Sequence, residues 1–141
     1  MDATVIRTRA LSALIVGASG INVLRIVSAF EARRIVTLRT DTIAAACERV
    51  VIDMPHVILT LVPPASASEA DALEERALAV GAFVVKVAPD LDDTVLRQVL
   101  ETTIQTALER KLLKEAEDAQ AARVAAGTTD LTHEIDDGWN D

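Results

Sequence analysis

The residues that come nearest to a chemical site are Gly17, Ala18, Ser19 and Gly20, which follow the apolar run Ala13 to Val16 and precede a helical pattern. A small-residue turn between a strand and a helix lets backbone N–H groups approach a phosphate, so nucleotide binding is the chemistry to weigh first. The turn itself holds no acid, base, thiol or cation, and Val23 stands where a third small residue would let helix and strand come close. No catalytic set emerges elsewhere. His56 and His133 have no cysteine or acid at metal-ligand spacing. Cys47 closes the apolar run Ile43 to Cys47 and reads as a small core side chain rather than a reactive thiol. The expectation is therefore no cofactor and no metal.

The elements that must position these residues follow from hydrophobic periodicity. Ala13 to Val16 is apolar without alternation, as suits a strand buried on both faces. After the turn, Val23, Ile26, Val27 and Phe30 recur at helical spacing. Arg34 to Thr40 is rich in β-branched residues and reads as a second strand; Asp41 can cap the next helix, whose stripe is Ile43, Ala46, Cys47 and Val50. His56 to Val62 is a third strand, broken by Pro63 and Pro64. Ser66 with Glu69, or Ser68 with Asp71, then offers a helix start, and Gly81 a helix end. Ala82 to Val87 is the fourth strand. Pro89 and Asp90 open a long helix with the stripe Val95, Leu96, Val99, Leu100, Thr103, Ile104, Ala107 and Leu108, and Gly127 gives it a place to stop. Strands separated by single helices imply an α/β fold: a three-layer sandwich around a four-stranded parallel sheet, with a long C-terminal helix. The chain divides into a lead-in over 1–10, an α/β domain over 11–110, a helical extension over 111–127 and an acidic tail over 128–141.

Composition narrows the function classes. Half of the 141 residues are hydrophobic but only 2% are aromatic, so the core is aliphatic. The net charge of −8 disfavours nucleic acid and anionic membrane surfaces. Arg33 and Arg34 read as solvated helix-end residues in preference to a docking patch. A single cysteine, a start without the apolar core of a secretory signal, and no apolar run of membrane-spanning length lead to the expectation of a cytoplasmic protein. From Thr128 onward, Leu131, Ile135 and Trp139 recur every fourth residue among acids. That spacing suits a segment that folds into a partner's groove with Trp139 as anchor, and equally the composition suits a solubilising tail.

Two segments carry a resemblance. The run Val16-Gly17-Ala18-Ser19-Gly20-Ile21-Asn22 and the run Gly81-Ala82-Phe83-Val84-Val85-Lys86-Val87-Ala88-Pro89-Asp90-Leu91 resemble the turn after the first strand, and the last strand, of response-regulator receiver domains. The resemblance covers roughly Leu14 to Leu108 and implies a receiver-like, flavodoxin-like sheet with one βα unit missing. Gly17 and Ala18 stand where the family has an acidic pair. Lys86 matches the family's lysine, with Val87 in place of the proline that usually follows it. Thr60 matches the phosphoacceptor position by its spacing from Asp41, or the hydroxyl residue of the following strand by its spacing to Lys86. Phosphoryl transfer to a carboxylate needs an aspartate nucleophile and a Mg²⁺ held by carboxylates, which Gly17 and Ala18 cannot supply. Without that partner Lys86 reads as a lysine whose stem packs and whose ammonium reaches solvent.

The reading that follows is a degenerate receiver: a non-enzymatic, unphosphorylated adaptor or scaffold in bacterial signalling or cell organisation. It would meet protein partners through its helices and acidic tail, with self-association plausible. The competing reading is a small Rossmann-like nucleotide-binding protein using the Gly17–Gly20 turn. Against its short-chain reductase form, the chain contains no tyrosine for a Tyr and Lys catalytic pair.

Overall fold

The structure, a computed structural model, describes residues 10–134, with side chains described as far as residue 125. Its elements run β1 (Ser12–Val16), α1 (Ile21–Ala32), β2 (Val36–Thr40), α2 (Ile43–Asp53), β3 (Val57–Thr60), α3 (Ala67–Val80), β4 (Phe83–Lys86) and α4 (Asp93–Glu134). The four strands form one sheet in the order β2-β1-β3-β4, and every neighbouring pair is parallel. This is the flavodoxin-like order ended one strand early. The chain divides into two compact units, residues 1–108 and 109–141.

In the first unit, alternation along the strands sorts the core into two clusters. Ala13, Ile15, Val57 and Leu59 face α1 and the start of α4, where they meet Ile26, Phe30, Leu96 and Leu100. Leu14, Val16 and Ile58 face the other way, against Ile43, Ala46, Cys47 and Val50 of α2 and Leu73 and Ala77 of α3. The result is a three-layer α/β sandwich, and β1 and β3 are buried along their whole length because both faces are covered. Cys47 lies in the second cluster as a packed core side chain.

Helix ends account for most departures from the sequence-based boundaries. Arg34, expected in the second strand, adopts φ 61° instead. It is the left-handed exit of α1, closed by Ile35 N–H to Phe30 O and Arg34 N–H to Glu31 O. β2 therefore starts at Val36. Thr42, not Asp41, caps α2 by accepting from Ala45 N–H at 3.1 Å, because Ile43 is the residue that turns into the core. Of the two candidate starts for α3, Ser66 is used: its Oγ accepts from Glu69 N–H, and the Glu69 carboxylate accepts from Ala65 N–H. Gly81 ends α3 at φ 80° as the spacing predicts.

α4 departs at both ends. It opens at Asp93, with Asp92 Oδ1 accepting from Val95 N–H at 2.9 Å, rather than at Pro89. Its buried positions are Leu96, Leu100, Thr103 and Ala107, while Val95 and Leu108 are exposed, so the apolar stripe is narrower than the expected one. The helix also runs through Gly127 to Glu134 rather than stopping there. A glycine inside a helix costs only about 1 kcal/mol relative to alanine, and no proline follows to enforce a stop. Leu131 therefore lies on helical backbone, whereas Ile135 and Trp139 lie outside the described residues. In the second unit, Lys111 pairs with Glu115 and Lys114 with Asp118 one turn apart, each adding about 0.3 kcal/mol to the helix. Leu112, Leu113 and Val124 are exposed there. No helix among the described residues is long and apolar enough to cross a membrane.

Candidate functional site

All four strands point their carboxyl ends to one edge, which brings Thr40, Val16, Thr60 and Lys86 into a row, with Gly17 following Val16. The chain passes from β1 outward to β2, then back across β1 to β3. The reversal falls between β1 and β3, where open α/β sheets form their binding crevice.

In this protein that crevice is filled by the chain itself. Leu61, the residue after β3, continues the sheet through its N–H to Val16 O at 2.8 Å. Its side chain is buried directly against Gly17: a Cβ built on Gly17 would stand 3.2 Å from Leu61 Cβ. Glycine at 17 thus serves a close approach between two loops. The peptide groups of Gly17 are occupied as well, its N–H donating to Thr40 O and its carbonyl accepting from Arg39 Nη2. Gly20 is the N-cap of α1, with extended backbone and no side-chain cap, while Ala18 and Ser19 are exposed.

Asn22 carries a role that periodicity alone did not reveal. It is only 4% exposed, in line with Ile26 and Phe30 on the buried stripe of α1. Its Nδ2 donates to Pro89 O and to Leu91 O, each at 3.0 Å, and its Oδ1 accepts from Arg25 Nη1 at 3.2 Å. One amide thereby ties the start of α1 to the loop between β4 and α4. It also explains why α4 cannot begin at Pro89, since those carbonyls are bonded sideways. Arg25 adds a second link through Asp93 at 3.6 Å. The available signal was an amide four residues before Ile26 on an otherwise apolar stripe.

Thr60 and Lys86 are brought together. They are register partners on β3 and β4, so their side chains project to the same face of the sheet, toward α2 and α3. There they line a cleft of ≈ 300 Å³, walled by Ile43, Pro63, Pro64, Leu73 and Val84, with Glu74 at its rim. Thr60 is buried, and its hydroxyl has no hydrogen-bond partner among the described residues, while its backbone carbonyl accepts from Val87 N–H. Lys86 is exposed and has no ion pair among the described residues. The strand bearing Thr60 lies beside β1 on one side and beside the lysine strand on the other.

The other candidates lie elsewhere. His56 sits at the opposite, amino edge of the sheet, where its Nδ1 accepts from Ser12 N–H at 3.1 Å and its own N–H donates to Ser12 O. Arg33 pairs with Glu101 across α1 and α4. Among the described residues no group of three or more histidines, cysteines or acids could hold a metal ion.

No protein-family model matches the chain, and no curated protein matches it. Among solved structures, it is similar to a dTDP-4-dehydrorhamnose reductase from Clostridium acetobutylicum, at 18% sequence identity and a TM-score of 0.44. That match covers 52% of this chain and 34% of the reductase, so the chain spans about a third of that protein's length.

Proposed function

We propose that the first unit is a receiver-like adaptor domain that does not accept a phosphoryl group and acts by binding proteins in bacterial signalling or cell organisation. The observation that carries this reading is the closed crossover between β1 and β3, where Leu61 packs on Gly17 and Arg39 holds the Gly17 carbonyl. A phosphate needs free N–H groups or cations at that place, and a phosphoacceptor site needs carboxylates. The Gly17 N–H is already bonded to Thr40 O, and none of Gly17, Ala18 and Thr60 brings a cation or a carboxylate. Exposed Ile21 and Leu24 on α1, and Val51 and Ile52 on α2, supply apolar surface to helical faces that a partner or a second copy could cover. The acidic residues beyond Thr128 add charge for a basic partner.

The test is incubation of the full chain with acetyl phosphate and Mg²⁺, followed by intact-mass measurement. No phosphoryl adduct is expected at any residue, and calorimetry with NAD, NADP, ATP or GTP is expected to show no binding. An acid-labile adduct would overturn the unphosphorylated reading. Micromolar binding of any of the nucleotides would replace the adaptor reading with the nucleotide-binding one.

A further inference from the structure

We infer that the cleft beside Thr60 and Lys86 binds a small carboxylate with an apolar body. This goes beyond the adaptor reading and does not depend on it, because neither Gly17 nor Arg39 lines the cleft.

Three observations converge on that ligand. Thr60, only 6% exposed, lines the cleft, and its hydroxyl has no hydrogen-bond partner among the described residues. Buried hydroxyls are almost always bonded, so this one points to a group that the protein does not itself supply. The register places the Lys86 ammonium on the same face, unpaired, one strand away. A carboxylate has two oxygens, one able to accept from the hydroxyl and the other from the ammonium, and such charge-assisted bonds are the stronger kind. The remaining walls are apolar, from Ile43 at the start of α2, Pro63 and Pro64 after β3, and Leu73 on α3. They would hold a hydrocarbon body of modest size, since ≈ 300 Å³ is at the small end of ligand pockets.

Charge narrows the class further. Glu74 on α3 also lines the cleft, so Lys86 and Glu74 together leave it formally neutral. A dianion such as inorganic phosphate would meet one cation and one acid, and has no apolar part to place against the walls. A monocarboxylate meets the lysine with half the charge facing Glu74, and gains the burial of its hydrocarbon body.

The experiment is a titration of the full, ¹⁵N-labelled chain with phenylacetate, followed by amide chemical shifts. Saturable shifts are expected at Thr60, Val62 and Lys86, with a dissociation constant on the order of 1 mM, as suits so small a ligand. Lys86→Met and Thr60→Val are each expected to weaken binding about tenfold, while Thr60→Ser, which keeps the hydroxyl, preserves it. Glu74→Gln is expected to tighten it. Phenylacetamide, neutral but equal in shape, should bind more weakly, and inorganic phosphate should leave the three amides unmoved. Lys86 is exposed, so its variant tests the ligand without disturbing the core. The inference is overturned if phenylacetate causes no saturable shift, if phosphate binds as tightly as phenylacetate, or if Lys86→Met and Thr60→Val both bind like the parent chain.

Discussion

Phe30→Ala is expected to destabilise the first unit by about 4 kcal/mol, a large share of the roughly 5–15 kcal/mol that holds an ordinary domain folded. Phe30 is 1% exposed and the largest fully buried side chain, set in the cluster between α1, the sheet and α4. Its neighbours Ile15, Ile26, Leu96 and Leu100 are held on three different elements, so they cannot collapse together into the space a ring leaves. Phe83→Ala is the internal control. Phe83 is half-buried on the edge strand β4, and its loss is expected to cost about 1–2 kcal/mol, since water fills part of the vacated volume. Urea unfolding of the two variants measures both. Equal losses, or a larger loss for Phe83, would mean that Phe30 is not the more deeply packed of the two rings in this cluster.

The second large effect is expected at Asn22. Asn22→Leu keeps most of the volume but leaves Pro89 O and Leu91 O without their donor and leaves Arg25 only its pairing with Asp93, at a cost of about 2 kcal/mol. The loss should be localised in its dynamic consequence. Amide exchange over residues 88–92 should accelerate more than exchange in β1 and β3, because the clamp holds the loop and not the sheet. Ser19→Ala, three residues earlier at an exposed position, is expected to change stability by less than about 0.5 kcal/mol. If Asn22→Leu proves as stable as the parent, water satisfies those carbonyls and the amide clamp contributes nothing to the fold.

The closed crossover and the open cleft bear on function in different ways. At the crossover both peptide groups of Gly17 have partners in the chain, so a ligand that used them would have to displace existing bonds. In the cleft the Thr60 hydroxyl and the Lys86 ammonium have no partner among the described residues. A ligand there would rest on the β3–α3 loop at Pro63 and Pro64.

Periodicity and composition were enough to determine the α/β class, the four parallel strands, the helix that follows each and the Gly81 cap, and to narrow the start of α3 to Ser66 or Ser68, because each rests on contacts within a few residues. The identity of the core was legible for the same reason: continuous apolar runs such as Ala13 to Val16 have no amphipathic alternative. What lay beyond the sequence were facts created by residues far apart in the chain. The purpose of Gly17 was decided by Leu61, and the delayed start of α4 by Asn22, whose amide reaches carbonyls more than sixty positions away. The left-handed exit at Arg34 followed from the need to bury Ile35 behind α1. Thr60 and Lys86 were each visible as strand-end residues, but only parallel register could place them on one face above one cleft. Local preference sets which segments form strands and helices, and burial together with hydrogen-bond satisfaction across the sheet decides what the residues at their ends are for.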